Sequence, residues 1–144
     1  RYSNMWIMDV FLINDSEIAC LTTEKSVGSV RCVYGRDVVI STGSTGLTGR
    51  DVTVEAHRDV YDKEIDAFAT VFTIVSMNKI GTSAVQSRDT GGVANGTYLF
   101  ALPGSPGACK DAWDEILVKQ LDYRHKPCNF VEIMPRLDEH QRRK

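Results

Sequence analysis

Residues 38–55, VVISTGSTGLTGRDVTVE, constrain this chain more than any other stretch. A short apolar run, Val38, Val39 and Ile40, feeds a turn holding Gly43, Gly46 and Gly49, and a helical pattern begins at Thr53. Strand, glycine-rich loop and helix in that order build an anion site in an α/β protein. Glycine lets the backbone turn tightly and come close to a ligand. The N–H groups that open the next helix point at whatever sits there, and the helix dipole favours negative charge. Ser41, Thr42, Ser44, Thr45 and Thr48 add hydroxyls able to donate to phosphate oxygens. Asp51 is the odd member, because a carboxylate beside a phosphate repels it; it makes sense as a holder of Mg²⁺ or as the orienter of a nucleophile. The spacing matches neither common phosphate loop. Walker A needs Lys and Ser/Thr after its last glycine, and Gly49 is followed by Arg50 and Asp51. The dinucleotide fingerprint spaces its glycines unevenly, and these recur every third residue. A turn that is glycine-rich for geometry alone is the competing reading. The hydroxyls and the Arg50–Asp51 pair favour a ligand site.

Whatever that loop binds, 144 residues amount to one domain able to bury a real core. A formal net charge of −2 gives no reason to expect nucleic acid, and the only basic cluster is the tail, residues 142–144. No apolar run approaches the roughly 20 residues of a membrane span. The apolar opening is interrupted by Asp9 and has no small-residue cleavage pattern, so it does not read as a signal peptide. Cys20, Cys32, Cys109 and Cys128 are scattered without a C-x-x-C pair, which suits free thiols in a reducing cytoplasm. The chain begins on Arg1 and not on Met, the mark of an incomplete reading frame or a trimmed chain.

Alternating elements follow along the chain. Residues 1–35 form a segment without sustained periodicity, apart from a strand expected over 9–14 and strand and turn over 26–34. Residues 36–144 carry the regular pattern. DVVIS reads as a strand buried on both faces of a parallel sheet. Thr53 is the expected cap of a helix running to about Asp62. A second helix is expected over 63–77, with Ile65, Phe68, Ala69, Phe72 and Val75 at helical spacing, and Gly81 ends it. Residues 82–87 read as a short strand and 89–92 as a turn. TYLFAL, residues 97–102, is a buried strand that stops at Pro103 and Gly104. A third helix then opens with Ser105 as N-cap and Pro106 at its first position, with Cys109, Ala112, Trp113, Ile116, Leu117 and Leu121 as its apolar stripe. Residues 130–134 are a last apolar run before a polar tail from Asp138. The class this predicts is α/β with a mainly parallel sheet.

TGSTGLTGRDVT, QSRDTGG, ALPGSPGACKDAWDEIL and LDYRHKPCNFVEIMPRL, in this order, resemble the MoaB/MogA family of molybdenum cofactor biosynthesis across residues 36–144, on its MoaB side. The resemblance implies a three-layer α/β sandwich, with the part before residue 36 shortened or divergent, in a homo-oligomeric trimer or hexamer. It implies molybdopterin as ligand and, for MogA-type members, adenylylation of molybdopterin with Mg²⁺–ATP. The family's TGGTG loop falls on Thr42, Gly43, Ser44, Thr45 and Gly46 and its loop aspartate on Asp51. Its serine–arginine pair falls on Ser87 and Arg88 and its LPG loop on Leu102, Pro103 and Gly104, with Ser105 next. Its helix carboxylate falls on Glu64, and Asp15 would take the role of the aspartate after the first strand. Ser44 stands in place of a glycine; if that position needs a positive φ, serine costs about 1 kcal/mol or more there. Val54 stands in place of a proline. The family's second aspartate-bearing loop has no counterpart in residues 1–37. The implied function is molybdopterin binding with adenylyl transfer in the cytoplasm; the alternative is a non-catalytic pterin-binding or scaffold paralogue. Arg88 suits either a phosphate or a surface ion pair. The three histidines, His57, His125 and His140, read as structural or solvent-facing, Trp113 as core, and residues 123–125 as a subunit contact or a ligand contact.

Overall fold

The structure, a computed structural model, describes residues 11–12 and 38–139. Asp15, Cys20, Cys32, His140, the strand and turn expected over 26–34 and most of the strand expected over 9–14 lie outside those residues. The described chain builds one five-stranded sheet in the order β1-β2-β5-β4-β3: β1 (Phe11–Leu12), β2 (Val38–Thr42), β3 (Lys63–Glu64), β4 (Thr90–Ala94) and β5 (Thr97–Leu102). β2 and β5 pair in parallel, Val38 opposite Tyr98 through Thr42 opposite Leu102. The β1–β2, β3–β4 and β4–β5 pairs are antiparallel. The α/β class holds, with a mixed sheet whose parallel ladder is confined, among the described residues, to the two strands that carry the glycine loops.

Helices cover both faces. Alternate residues of the central strands, Val38, Ile40, Tyr98, Phe100 and Leu102, face α2 (Asp66–Ile80) and α3 (Pro106–Ala112) with its continuation through a π segment (Trp113–Leu117) into α4 (Val118–Gln120). Phe68 and Phe72 of α2 and Ala112, Ile116 and Leu117 close this core. Tyr98 and Phe130 of α5 (Phe130–Ile133) add rings 4.9 Å apart. The opposite face meets α1 (Thr53–Arg58), whose Thr53, Val54 and His57 are buried. Both strand faces are covered, so β2 and β5 read as unbroken apolar runs rather than alternating ones.

Five expectations are corrected. Residues 63–65 do not begin the second helix: Lys63 and Glu64 pair with Val93 and Gly92, and α2 starts at Asp66. Residues 81–86 are a 3₁₀ turn opened by Gly81 at φ 61, not a strand. Residues 90–92, read as part of a turn, belong to strand β4 because rings occupy the space above each glycine. A Cβ on Gly91 would stand 2.9 Å from the Phe100 ring and 3.1 Å from that of Phe68; on Gly92 it would stand 2.5 Å from the Tyr61 ring. The turn lies further on, at Asn95 (φ 49) and Gly96 (φ 76), the two-residue hairpin pair that the strand twist favours. α1 starts at Thr53 with Val52 in the cap position and no side-chain cap, and it ends at Arg58 rather than near Asp62. Trp113, expected in the core, is 36% exposed. The third helix opens as expected, Ser105 Oγ accepting from Ala108 N–H at 3.3 Å. No helix of the described residues is long and apolar enough to cross a membrane.

Candidate functional site

β2 and β5 are adjacent, parallel and end level with each other, so the chain leaves both strands at one place. Gly43 N–H donates to Leu102 C=O at 2.9 Å, continuing the ladder one step past Thr42. Gly43 lies at φ 93, and a Cβ on Gly104 would stand 3.1 Å from its Cα. The two glycine loops therefore approach backbone to backbone, which a side chain at Gly104 would crowd, while at Gly43 it is the positive φ that favours glycine. Carboxyl ends of adjacent parallel strands are where open α/β sheets bind ligands. Thr42, Gly43, Ser44, Thr45, Gly46, Pro103, Gly104 and Ser105 are gathered on these two loops.

Within the first loop, Ser44 sits at φ 51 with its side chain exposed, and its C=O accepts from Thr53 N–H at 3.0 Å. Thr45 is buried. Thr48 to Asp51 is a reciprocal turn: Asp51 N–H donates to Thr48 C=O at 2.9 Å, while Asp51 Oδ2 accepts from Thr48 N–H at 2.9 Å and from Thr48 Oγ1 at 2.6 Å. Those two bonds to Thr48, with smaller help from Arg50 and Arg88, hold the Asp51 carboxyl below the usual carboxylate range, so it is ionised at neutral pH. Gly46 carries no side chain because Asp51 Oδ2 would stand 2.8 Å from its Cβ. Both Thr48 bonds fall on Oδ2; none described falls on Oδ1.

Arg88 reaches the loop from before β4. Its Nη1 donates to Gly46 C=O at 3.1 Å and its Nη2 pairs with Glu55 of α1. Arg88 thus clamps the glycine loop to α1, and that ion pair draws the Glu55 carboxyl down. Ser87 precedes it, at the end of the 3₁₀ turn, with its N–H on Ala84 C=O at 3.0 Å. Glu64 is not brought to the loop by its bonds: it stands on the edge strand β3 and accepts from Arg58 Nε at 2.7 Å and Thr90 Oγ1 at 3.1 Å. Among the described residues no group of three or more His, Cys, Asp or Glu is placed to hold a metal ion.

Two polar features lie beneath the site where the sequence was read as structural or as turn. His57 is buried under the loop, its Nε2 2.8 Å from Ser41 Oγ and its Nδ1 3.3 Å from Tyr61 Oη. Burial depresses its pKa to about 4. Asp89 is buried beside Arg88, its Oδ1 without a hydrogen-bond partner, and burial raises its carboxyl to about 7 against the pull of Arg58. Ser41 directly before the loop, at a position inside an apolar strand, is the sequence signal for the first. An aspartate leading into a strand is the signal for the second.

The fold and the paired loops define the class: an α/β domain with a glycine-loop site at the carboxyl ends of two adjacent parallel strands. The profile of one family, the probable molybdopterin binding domain, matches residues 22–123, and the chain belongs to that family. It is 50% identical over 93 residues to molybdenum cofactor biosynthesis protein B of Escherichia coli K12, covering 65% of this chain and 55% of that protein. It is 43% identical over 76 residues to a probable molybdopterin adenylyltransferase of Methanocaldococcus jannaschii, covering 53% and 47%. A solved structure of a molybdenum cofactor biosynthesis protein B superposes with a TM-score of 0.63 at 35% identity, over 74% of this chain and 62% of that one. The chain spans about half the length of the curated relatives it matches.

Proposed function

We propose that this chain acts in molybdenum cofactor biosynthesis, binding molybdopterin on the paired glycine loops and adenylylating it with ATP. The observation that carries the reading is the close approach of Gly104 to Gly43, on the loop that also bears an ionised, half-buried Asp51. α1 has only six residues, so its dipole adds little and the loop's own amides and hydroxyls carry the anion. The pterin phosphate sits on the loop that Gly43 opens, over the backbone of Ser44 to Gly46, with the hydroxyls of Thr42, Ser44 and Ser105 at hand. A terminal phosphate oxygen of the pterin attacks the α-phosphorus of ATP; the new P–O bond forms as the bond to the β-phosphate oxygen breaks, and pyrophosphate leaves. The protein's work is positioning and charge neutralisation.

Magnesium fits this loop as one carboxylate ligand plus substrate oxygens, the pattern Mg²⁺ prefers, and Asp51 Oδ1 is the oxygen outside the Thr48 bonds. When bound, the ion neutralises the phosphate charge. Arg88, spent on Gly46 C=O and Glu55, supports the loop rather than the phosphate. The relatives named molybdenum cofactor biosynthesis protein B and probable molybdopterin adenylyltransferase support the pathway and the reaction. Pyrophosphate release from ATP and molybdopterin tests the reading. Wild type releases it, and Asp51→Asn is slower by about 100-fold or more; an unchanged Asp51→Asn rate would contradict the assigned role.

A second reading is a pterin carrier without turnover. One observation favours it: among the described residues Asp51 belongs to no group of three or more His, Cys, Asp or Glu placed to hold a metal ion. Molybdopterin binding with no pyrophosphate would establish that reading instead.

A further inference from the structure

His57 takes no part in the chemistry above, yet it is bonded to one of the strands that deliver the glycine loops and linked through two hydroxyls to the other. It sits on α1, 3% exposed. Through Ser41 it is tied to β2, one residue before the loop begins, and Ser41 Oγ donates on to Phe100 C=O of β5 at 3.3 Å. Tyr61 Oη lies 3.3 Å from His57 Nδ1 and 3.4 Å from Leu99 C=O of β5, its one hydrogen serving either acceptor. A buried hydroxyl or ring nitrogen left without a partner is costly, so each member of the chain needs the others in place. α1 in turn holds the loop from its other side, by Thr53 N–H on Ser44 C=O and by Glu55 on the Arg88 that grips Gly46 C=O. The Ser41–His57–Tyr61 chain therefore fixes the three elements that frame the loop against one another.

We propose that His57 is a positioning residue of the glycine-loop site: through Ser41 and Tyr61 it sets α1 in register with β2 and β5, and so sets where the loop's amides stand. That these amides receive a phosphate rests on the function proposed above; that His57 places them does not. Ligand-free protein therefore supplies the first test. Amide hydrogen exchange is followed at Gly43 and Thr53, whose N–H groups bond Leu102 and Ser44, with Leu99 and Phe100 of β5 as internal reference for global opening. His57→Leu fills the space without the polar atoms, whereas His57→Gln restores a donor toward Ser41. The expected result is exchange at Gly43 and Thr53 about tenfold faster relative to β5 in His57→Leu, and within about threefold of wild type in His57→Gln. Equal relative exchange in wild type and His57→Leu would overturn the proposal, as would failure of His57→Gln to restore it. If His57→Leu does not fold, Ser41→Ala, which removes one link of the same chain, takes its place with the same expected loss and the same overturning result.

Inorganic pyrophosphate then serves as the anion probe. Its dissociation constant is expected to rise about tenfold in His57→Leu and to return within about threefold in His57→Gln. A wild type that shows the exchange pattern but takes no pyrophosphate would sink the phosphate reading and leave the positioning role standing. A wild type that binds it as tightly as His57→Leu does would sink the positioning role.

Discussion

At Ser44 the backbone lies at φ 51, a conformation that costs an L side chain about 1–2 kcal/mol. Strain held in a loop whose neighbours touch backbone to backbone marks a place where geometry outranks local comfort. Ser44→Gly is expected to stabilise the protein by about 1 kcal/mol, a rise of a few degrees in the thermal midpoint. A midpoint that stays or falls would show that the serine relieves its strain through contacts in the folded loop.

Two buried groups make stability depend on pH in opposite directions. His57 stays neutral in the fold with its pKa depressed to about 4, so its contribution is present above pH 6.5 and is lost as pH falls toward 4. Asp89, raised from 3.8 to about 7, contributes stability below pH 3.8 that is lost as pH rises through 7. Between pH 5 and 6.5 the two offset each other. Urea titrations should therefore show little change in wild type across that window. Asp89→Asn loses about 1–2 kcal/mol on acidification, and His57→Leu gains a similar amount. Parallel slopes in the two variants would mean that one of these groups is not buried in the state assigned to it.

At the scale of elements, β4 is the one whose sequence misleads. Thr90, Gly91 and Gly92 carry turn composition, yet the strand exists because Phe68 and Phe100 lie over Gly91 and Tyr61 over Gly92. Gly92→Ala forces the Tyr61 ring away and disturbs its bond to His57; a loss of about 1–3 kcal/mol is expected in thermal or urea unfolding. A neutral Gly92→Ala would mean that the ring moves freely. Strands β2 and β5 and the start of α3 were legible beforehand, because continuous apolar runs and the Ser–Pro cap are local signals. So was the gathering of residues 42–46 with 103–105, since each loop follows a buried strand. The edge pairing of Lys63 and Glu64 was not legible, since exposed charged residues become a strand only through their partners on β4. Nor was the use of Arg88 within the protein, which depends on Glu55, far away in sequence.

Across the whole molecule, one face stands out. Val71, Ile74, Met77 and Ile80 recur every third residue along the outer side of α2, each 44–55% exposed, with Val85 just beyond at 82%. Exposed apolar residues of this extent on a folded domain are surfaces for association. Sedimentation velocity is expected to give an assembly larger than a monomer. A monomer at micromolar concentration would mean that this apolar surface does not join copies of the chain.

On the function proposed, two apposed glycine loops form a pterin-phosphate site that reacts with ATP. Calorimetry of the protein with molybdopterin, first alone and then with Mg²⁺–ATP, tests it most directly when pyrophosphate is assayed in the same samples. Saturable binding is expected in the first titration, and reaction heat with stoichiometric pyrophosphate in the second. Well-folded protein that shows no binding in either titration would contradict it, and the paired loops would then be architecture alone.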